Sequence, residues 1–275
     1  MKAVLLFTVC ILIFPIQSMA QRGHYDFGAR SKGMGNSNST LADEWSIFNN
    51  VGGISGVENG MVFFGYNKYF EIDGFDIVAG GAIHPFNFGN VGISILKFGD
   101  KLYNDQVASV AYGNKIGFVR LGAKINYYQM RIDEFGTAGS LYFDIGGIVE
   151  LVPKLSFGAY ISNFTLSKLN ISEKISMPVI MKAGLSYRPT KLLSLDIDLF
   201  KDIEYEPNVK LGIEYIIVEK VYLRTGLNTN PLKGFFGAGI LLARFQLDYA
   251  VGTNQFLGSS HQFTVSYKYQ NGHEN

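Results

Sequence analysis

The sequence predicts an all-β fold: a transmembrane antiparallel β-barrel of about 14 strands, preceded by an N-terminal plug segment. Three observations predict it. The chain opens on a stretch patterned as a secretory leader. It is rich in glycine and aromatics yet holds no later apolar run long enough for a spanning helix. Its residues alternate between two faces over stretches long enough to cross a bilayer.

The leader comes first. Met1-Lys2 supplies a positive charge, Ala3 to Ile16 is apolar apart from Thr8, and Ser18-Met19-Ala20 puts small residues where a signal peptidase reads. The apolar run, about 14 residues, falls short of the ~20 that a membrane helix requires. Residues 1–20 are therefore expected to be a signal peptide cleaved before Gln21. Cys10 follows Val9 inside the apolar run, which does not suit a lipoprotein site.

Cleavage would remove the only cysteine and Lys2, leaving 23 basic residues against 23 acidic ones. Disulfides, thiol catalysis and cysteine-ligated metal are then excluded. A neutral balance also argues against a nucleic-acid partner, which needs a basic face.

Glycine accounts for 32 of 275 residues, aromatics for 14% and charged residues for only 17%. Such a composition, with alternation in place of long apolar runs, fits a transmembrane barrel. The competing class is a soluble β-sandwich, and the strand pattern decides between them.

Side chains on a strand alternate between faces, so residue-number parity sorts them. Arg120, Gly122, Lys124 and Asn126 oppose Val119, Leu121, Ala123, Ile125 and Tyr127. Asp144 and Glu150 oppose Phe143, Ile145 and Val149. The same holds for Lys182 and Arg188, for Asp196 and Asp198, for Lys210 and Glu214, for Arg224, for Arg244 and Asp248, and for Lys268. These patterns run about 9 to 12 residues, the length of a tilted membrane strand, where soluble strands run about 5 to 6.

Strands are expected at 60–68, 74–84, 89–98, 104–113, 115–130, 138–152, 154–164, 178–188, 191–201, 207–218, 220–228, 233–242, 244–252 and 259–270. Their links alternate. Short ones fall near Pro85, Asn114, Pro153, Pro189, Glu219 and Ala243, with longer ones at 69–73, 99–103, 131–137, 165–177, 202–206, 229–232 and 253–258. Short periplasmic turns and longer outer loops produce this rhythm. Parity is blurred in the first four strands, where Gly80-Gly81 and apolar residues occupy both faces.

The inward positions carry Arg120, Lys124, Lys182, Arg188, Lys210, Arg224, Arg244 and Lys268 against Asp144, Glu150, Asp196, Asp198, Glu214 and Asp248. An ion-selective pore would show one dominant sign. A mixed set points to cross-strand charge pairing around a filled interior. The expected domains are thus the signal peptide 1–20, a luminal plug segment 21–58 and the barrel 59–275. The plug segment holds the only tryptophan, Trp45, and Thr40 is the expected N-cap of a short helix that follows it.

Gly28-Ala29-Arg30, Gly33-Met34-Gly35, Ala42-Asp43-Glu44 and Asn49-Asn50-Val51-Gly52-Gly53-Ile54 follow one another here. The series resembles the N-terminal signature of FadL-type barrels and of the PorV/PorQ family of Bacteroidetes outer-membrane proteins. Val51-Gly52 departs from it, standing where Pro-Ala is usual. The resemblance implies a FadL-like barrel in the bacterial outer membrane. On the PorV/PorQ side it implies an interaction or shuttle role in type IX secretion or surface attachment. The partners would be outer-membrane lipid and secretion translocon, cargo or attachment proteins. The alternative is a FadL-like transporter of hydrophobic small molecules.

No enzyme, cofactor or metal site is expected. Gly33-Met34-Gly35 lacks the third glycine and the leading strand of a dinucleotide loop. Some outer-membrane barrels are hydrolases with Ser and His at the lipid boundary, and Ser259, Ser260 and His261 are adjacent here. Ser260 faces away from His261. Ser259 shares its face at about 7 Å, beyond the contact that a nucleophile and its base require.

Overall fold

The structure, a computed structural model, describes residues 25–70, 72–170, 176–254 and 257–269. The expected signal peptide, 1–20, lies outside them. Fourteen antiparallel strands close into a single barrel, in which each strand pairs with its sequence neighbours and β1 pairs with β14. The first seven are β1 (Gly60–Lys68), β2 (Asp76–Phe86), β3 (Gly89–Gly99), β4 (Tyr103–Ile116), β5 (Val119–Ile132), β6 (Gly136–Val152) and β7 (Leu155–Ser162). The rest are β8 (Ile180–Tyr187), β9 (Leu193–Asp202), β10 (Asn208–Val218), β11 (Val221–Thr229), β12 (Leu232–Leu242), β13 (Phe245–Asn254) and β14 (Gly258–Tyr269).

The expected strands match these within a few residues, with one displaced pair of turns. Pro85 and Asn114 lie inside β2 and β4, paired with Asn90 and Leu121, and the turns fall at 87–88 and 117–118. Proline is tolerated at Pro85 because the strand ends one residue later, where a missing ladder donor matters least. Gly117, at φ +61°, supplies the left-handed backbone that a two-residue hairpin demands.

One mouth carries the links 69–75, 100–102, 133–135, 163–179, 203–207, 230–231 and 255–257; the other carries 87–88, 117–118, 153–154, 188–192, 219–220 and 243–244. The two mouths are distinct, and β1 begins and β14 ends at the short-turn mouth. The expected rhythm of lengths fails at two links: 230–231, on the long-loop mouth, is a two-residue turn, and 188–192, on the short-turn mouth, runs to five residues. The outward faces are apolar: Ile95 is 60% exposed, Val110 57%, Leu199 49% and Phe236 60%. Charge is gathered inside. A closed sheet with an apolar exterior and no free edge is the arrangement that hydrocarbon requires. The fold is that of an outer-membrane β-barrel.

Inside the barrel runs the N-terminal segment, buried along most of its length from Phe27 to Val57. It forms one short helix, α1 (Ala29–Gly33), and two 3₁₀ turns, Glu44–Ile47 and Val51–Gly56. Thr40 does not cap a helix, because its hydroxyl donates instead to Asp196 on β9 (3.1 Å). The first 3₁₀ turn starts after Asp43, whose amide donates to Ser46 Oγ (3.1 Å).

The lumen has two kinds of wall. The inward residues Phe63, Ile77, Ile83, Leu96 and Val107 of β1–β4 join Phe27, Trp45, Ile47, Phe48, Val51 and Ile54 of the segment in one apolar cluster. The β7–β8 loop tucks Leu169 and Met177 into the same cluster. Most of the buried charges lie on the opposite side, on β8–β13.

Candidate functional site

The segment is seated by glycines. A Cβ on Gly33 would stand 3.0 Å from the Cα of Gly237, and one on Gly35 would stand 3.0 Å from Leu211 O. On the far wall a Cβ on Gly52 would stand 2.7 Å from the Cα of Gly147. The barrel reciprocates: at Gly212 a Cβ would meet Met34 Cβ at 2.8 Å, and at Gly113 it would meet Ile54 Cγ1 at 2.6 Å. Gly122, Gly146, Gly158 and Gly226 likewise face Val51, Asn50, Ser39 and Gly35. Segment backbone runs against strand backbone at β4–β7 and at β10–β12, which only residues without a Cβ permit.

Two asparagines clip the segment to itself and to the wall. Asn49 exchanges hydrogen bonds with Phe27, accepting from its amide (3.1 Å) and donating to its carbonyl (2.9 Å). Asn50 donates to Ser39 O (2.6 Å) and to Gly147 O (3.1 Å). Gly28, at φ +122°, is packed against Trp45. The motif residues thus have a common physical role: Gly28, Gly33 and Gly35 allow close approach, Ala29 and Met34 are buried, and Asn49 and Asn50 tie the ends.

Charge pairing completes the seat. Arg30 binds Glu214 on β10 (2.6 Å) and Asp43 within the segment (3.1 Å). Arg224 on β11 binds the same Glu214 (2.7 Å) and Asp248 on β13 (2.5 Å). Lys124 pairs with Asp144 (3.1 Å) and donates to Ile47 O (2.8 Å). Asp198 accepts from the amides of Asn38 and Ser39 (2.7 and 2.8 Å) and from Ser39 Oγ (2.7 Å). Glu44 is bound by the Ser266 hydroxyl, and burial pushes its carboxyl up to about 7. Such pairs replace the hydration that each ion loses on burial, so they fix geometry more than they add net stability.

Not every expected luminal charge lies in this packed interior. Lys124, Asp144, Lys182, Asp196, Asp198, Lys210, Glu214, Arg224 and Asp248 are buried there, and Arg120 is half-buried near Gly56. Glu150, Arg188, Arg244 and Lys268 are exposed. Each stands at or beyond the short-turn end of its strand, so parity holds but the lumen no longer encloses the side chain.

Sequence reasoning did not single out the first described residues of the segment. Tyr25 donates to Asp105 (2.6 Å) and stacks on Phe98 (centroids 5.6 Å) at the long-loop mouth, and Asp26 bridges Lys182 and Lys210 there. The described segment therefore runs from the outer mouth down to Val57, where Asn90 holds the carbonyls of Ile54 and Val57 (both 2.7 Å). No motif flags Tyr25 or Asp26; only their place ahead of Gly28 could have drawn attention to them.

Above Tyr25 opens a vestibule of about 620 Å³. Its walls include Tyr69, Phe70, Phe75, Phe98, Phe200 and Phe235, with Lys210 and Lys233 among them. Lys210 Nζ lies 4.2 Å from the Phe200 ring centre. From this vestibule the apolar cluster continues down the β1–β5 wall through Phe27, Trp45, Ile47 and Ile54 to Val57. An apolar seam thus links the outer vestibule to the short-turn mouth.

On the barrel's exterior, Ser259 Oγ lies 2.8 Å from His261 Nε2, and Tyr249 OH lies 2.6 Å from His261 Nδ1. The expected separation of Ser259 and His261 is corrected: side chains on one face lean along the strand, which closes the gap between their backbones. Among the described residues no group of His, Cys, Asp and Glu could hold a metal ion.

No family model matches the chain, and no curated protein matches it. Its fold is similar to that of the toluene transporter TodX of Pseudomonas putida, with TM-score 0.65 and 11% identity over 88% of this chain and 97% of that one. A TodX mutant described as a monoaromatic hydrocarbon channel gives TM-score 0.67 and 11% identity over 89% and 99%. A FadL homologue of Pseudomonas aeruginosa gives TM-score 0.62 and 12% identity over 88% and 98%. The FadL-like barrel architecture is thereby shown. The PorV/PorQ assignment gains no support from these comparisons and rests on the motif residues alone.

Proposed function

We propose that this protein binds hydrophobic small molecules in its outer vestibule and passes them across the outer membrane, residues 21–58 acting as a movable plug. The observation that carries this reading is the apolar seam between the segment and the β1–β5 wall. An apolar molecule leaving the vestibule would stay in contact with Phe27, Trp45, Ile47 and Ile54 down to the short-turn mouth. Local loosening of the segment would open that path without breaking the charge pairs on β8–β13. The similar structures named as a toluene transporter and a hydrocarbon channel support the same substrate class.

Titration of the detergent-solubilised protein with toluene and with dodecanoate tests the reading. Saturable binding is expected, lost in a Phe98→Asp/Phe235→Asp double variant that still forms a heat-resistant barrel. Absence of saturable binding for both probes would overturn it.

A second reading, a partner-binding barrel of the secretion apparatus, is supported by apolar loop tips at the outer mouth. Leu102 is 66% exposed, Phe135 86% and Leu166 64%, which offers apolar contact points to a partner. Affinity purification from native outer membrane should then recover translocon or attachment proteins, and recovery should fall on Phe135→Ser.

A further inference from the structure

We propose that Ser259, His261 and Tyr249 form a hydrolytic site for lipid carboxylic esters on the outer wall of the barrel. The three side chains are connected in series. Ser259 Oγ meets His261 Nε2 at 2.8 Å, and His261 Nδ1 meets the Tyr249 hydroxyl at 2.6 Å. A nucleophile bonded to a base, with the base held by a third group, is the arrangement that nucleophilic ester cleavage needs.

Their position names the substrate. His261 lies on the same outward face as Phe263, which is 47% exposed. Ser259 is the second residue of β14, whose Gly258 end adjoins the long-loop mouth. At a rise of ~3.3 Å per residue the pair sits within about 10 Å of the strand's long-loop end, where Tyr66, Lys68 and Tyr249 gather beside His261. An aromatic and polar girdle of this kind marks the level at which headgroup meets hydrocarbon, where the ester carbonyls of lipids lie. A surface groove of about 480 Å³ runs along the histidine side of the site, lined by Tyr66, Lys68, Tyr249, His261, Gln262 and Phe263. Lys68 is the cross-strand partner of His261 on β1 and lines the same groove, the one cationic side chain among the groove residues that could offset a developing oxyanion.

The chemistry balances with water as the only co-reactant. Ser259 Oγ bonds to the ester carbonyl carbon while its proton passes to His261 Nε2. The bond from that carbon to the alcohol oxygen breaks, and Nε2 returns the proton to the leaving oxygen. Water then attacks the acyl-serine, giving its proton to Nε2. The carboxylic acid leaves, and the proton returns to Ser259 Oγ. Tyr249 is a positioning residue that holds Nδ1 so that the Nε2 lone pair faces the serine.

The test uses the full chain in detergent micelles with a long-chain alkyl fluorophosphonate, p-nitrophenyl dodecanoate and phosphatidylethanolamine vesicles. The expected result is a phosphonyl adduct mapped by mass to Ser259. Ester turnover should drop about 10²–10⁴-fold in Ser259→Ala and in His261→Ala. Tyr249→Phe should lower kcat and displace the acid limb of the pH–rate profile, which a merely structural tyrosine would not do. Heat-resistant migration in gels verifies that each variant is a folded barrel. Absence of an adduct at Ser259, or equal turnover by the native protein and Ser259→Ala, overturns the proposal. Neither result bears on the vestibule, which lies on the other side of the barrel wall.

Discussion

Gly33 of the luminal segment and Gly237 of β12 face each other at close range: a Cβ on one would stand 3.0 Å from the Cα of the other, whichever residue carries it, so even a methyl group would press the two backbones apart. The relation repeats around the barrel wherever a strand glycine meets the segment. The wall and its contents are cut to one another, and the segment is held by shape as well as by charge.

Gly237→Leu should therefore unseat the segment locally. Overpacking of this kind costs about 1–3 kcal/mol. Ion conductance in planar bilayers should rise above that of the native protein, while heat-resistant migration persists because the strand ladder is untouched. Native-like silence in the variant would mean that the segment does not block the lumen at this point.

Removing Arg224 should cost more than removing Arg30. Glu214 accepts from both arginines, so Arg30→Met leaves it paired with Arg224 and strands only Asp43, which is less buried than Asp248 and keeps the Ser46 hydroxyl. Arg224→Met leaves Asp248 without its arginine and deep in the lumen. Stranding one member of a buried pair costs about 3–5 kcal/mol. Urea denaturation of the two variants measures the order, and a larger loss for Arg30→Met would contradict it.

The contrast between these two walls explains what the sequence could reveal. Parity sorted β5–β14 because one face there is charged and the other apolar, as at Lys210 and Leu211. It blurred in β1–β4 because Phe63, Ile77, Ile83 and Leu96 point inward and are apolar too, packed on Trp45 and its neighbours. An inward face that meets another part of the chain has no need of polarity. The inward glycines were legible only as composition, since nothing local distinguishes a glycine that seats a segment from one that relieves a bend. The vestibule aromatics are spread over strand ends and loops far apart in sequence, so no spacing announces them.

Ile197 should mark the lipid face. It is 46% exposed between Leu185 and Leu211 on the neighbouring strands. Arg at such a mid-strand position should cost about 2–4 kcal/mol. Gln246→Arg should be milder, because Gln246 already donates to Asp248 (2.9 Å) in a half-open part of the lumen near the short turns. Unfolding in lipid vesicles compares them, and equal losses would undo the assignment of faces.

Seating of the segment should weaken as pH rises toward neutrality. Burial raises the Glu44 carboxyl from its ordinary 4.5 to about 7. Below pH 4.5 the group is protonated whether the segment is seated or released, so it contributes no pH dependence. Between 4.5 and about 7 the released form ionises first, so stability falls through that window and levels off above it. Glu44→Gln should flatten the profile by the difference. A native profile that rises over the same window, with Glu44→Gln unchanged from it, would show that Glu44 ionises freely in place.

Trp45 offers a direct view of the segment, because it is the only tryptophan in the chain. It is 2% exposed, meets Phe63 of β1 edge-on at 4.9 Å between ring centres, and lies 5.5 Å from the Phe27 ring. Its Nε1 has no hydrogen-bond partner among the described residues. In the folded protein its emission should be blue-shifted and resistant to acrylamide. The segment is held by side-chain packing and ion pairs, whereas the strands are held by a closed ladder that must open in lipid or detergent at several kcal/mol per freed backbone group. The two should separate in urea: the Trp45 emission should move to the red at a concentration that leaves heat-resistant migration intact. Gly237→Leu should lower that first midpoint and leave the second in place. One shared midpoint for both signals would mean that segment and barrel unfold as a unit, and a movable plug would then lose its physical basis.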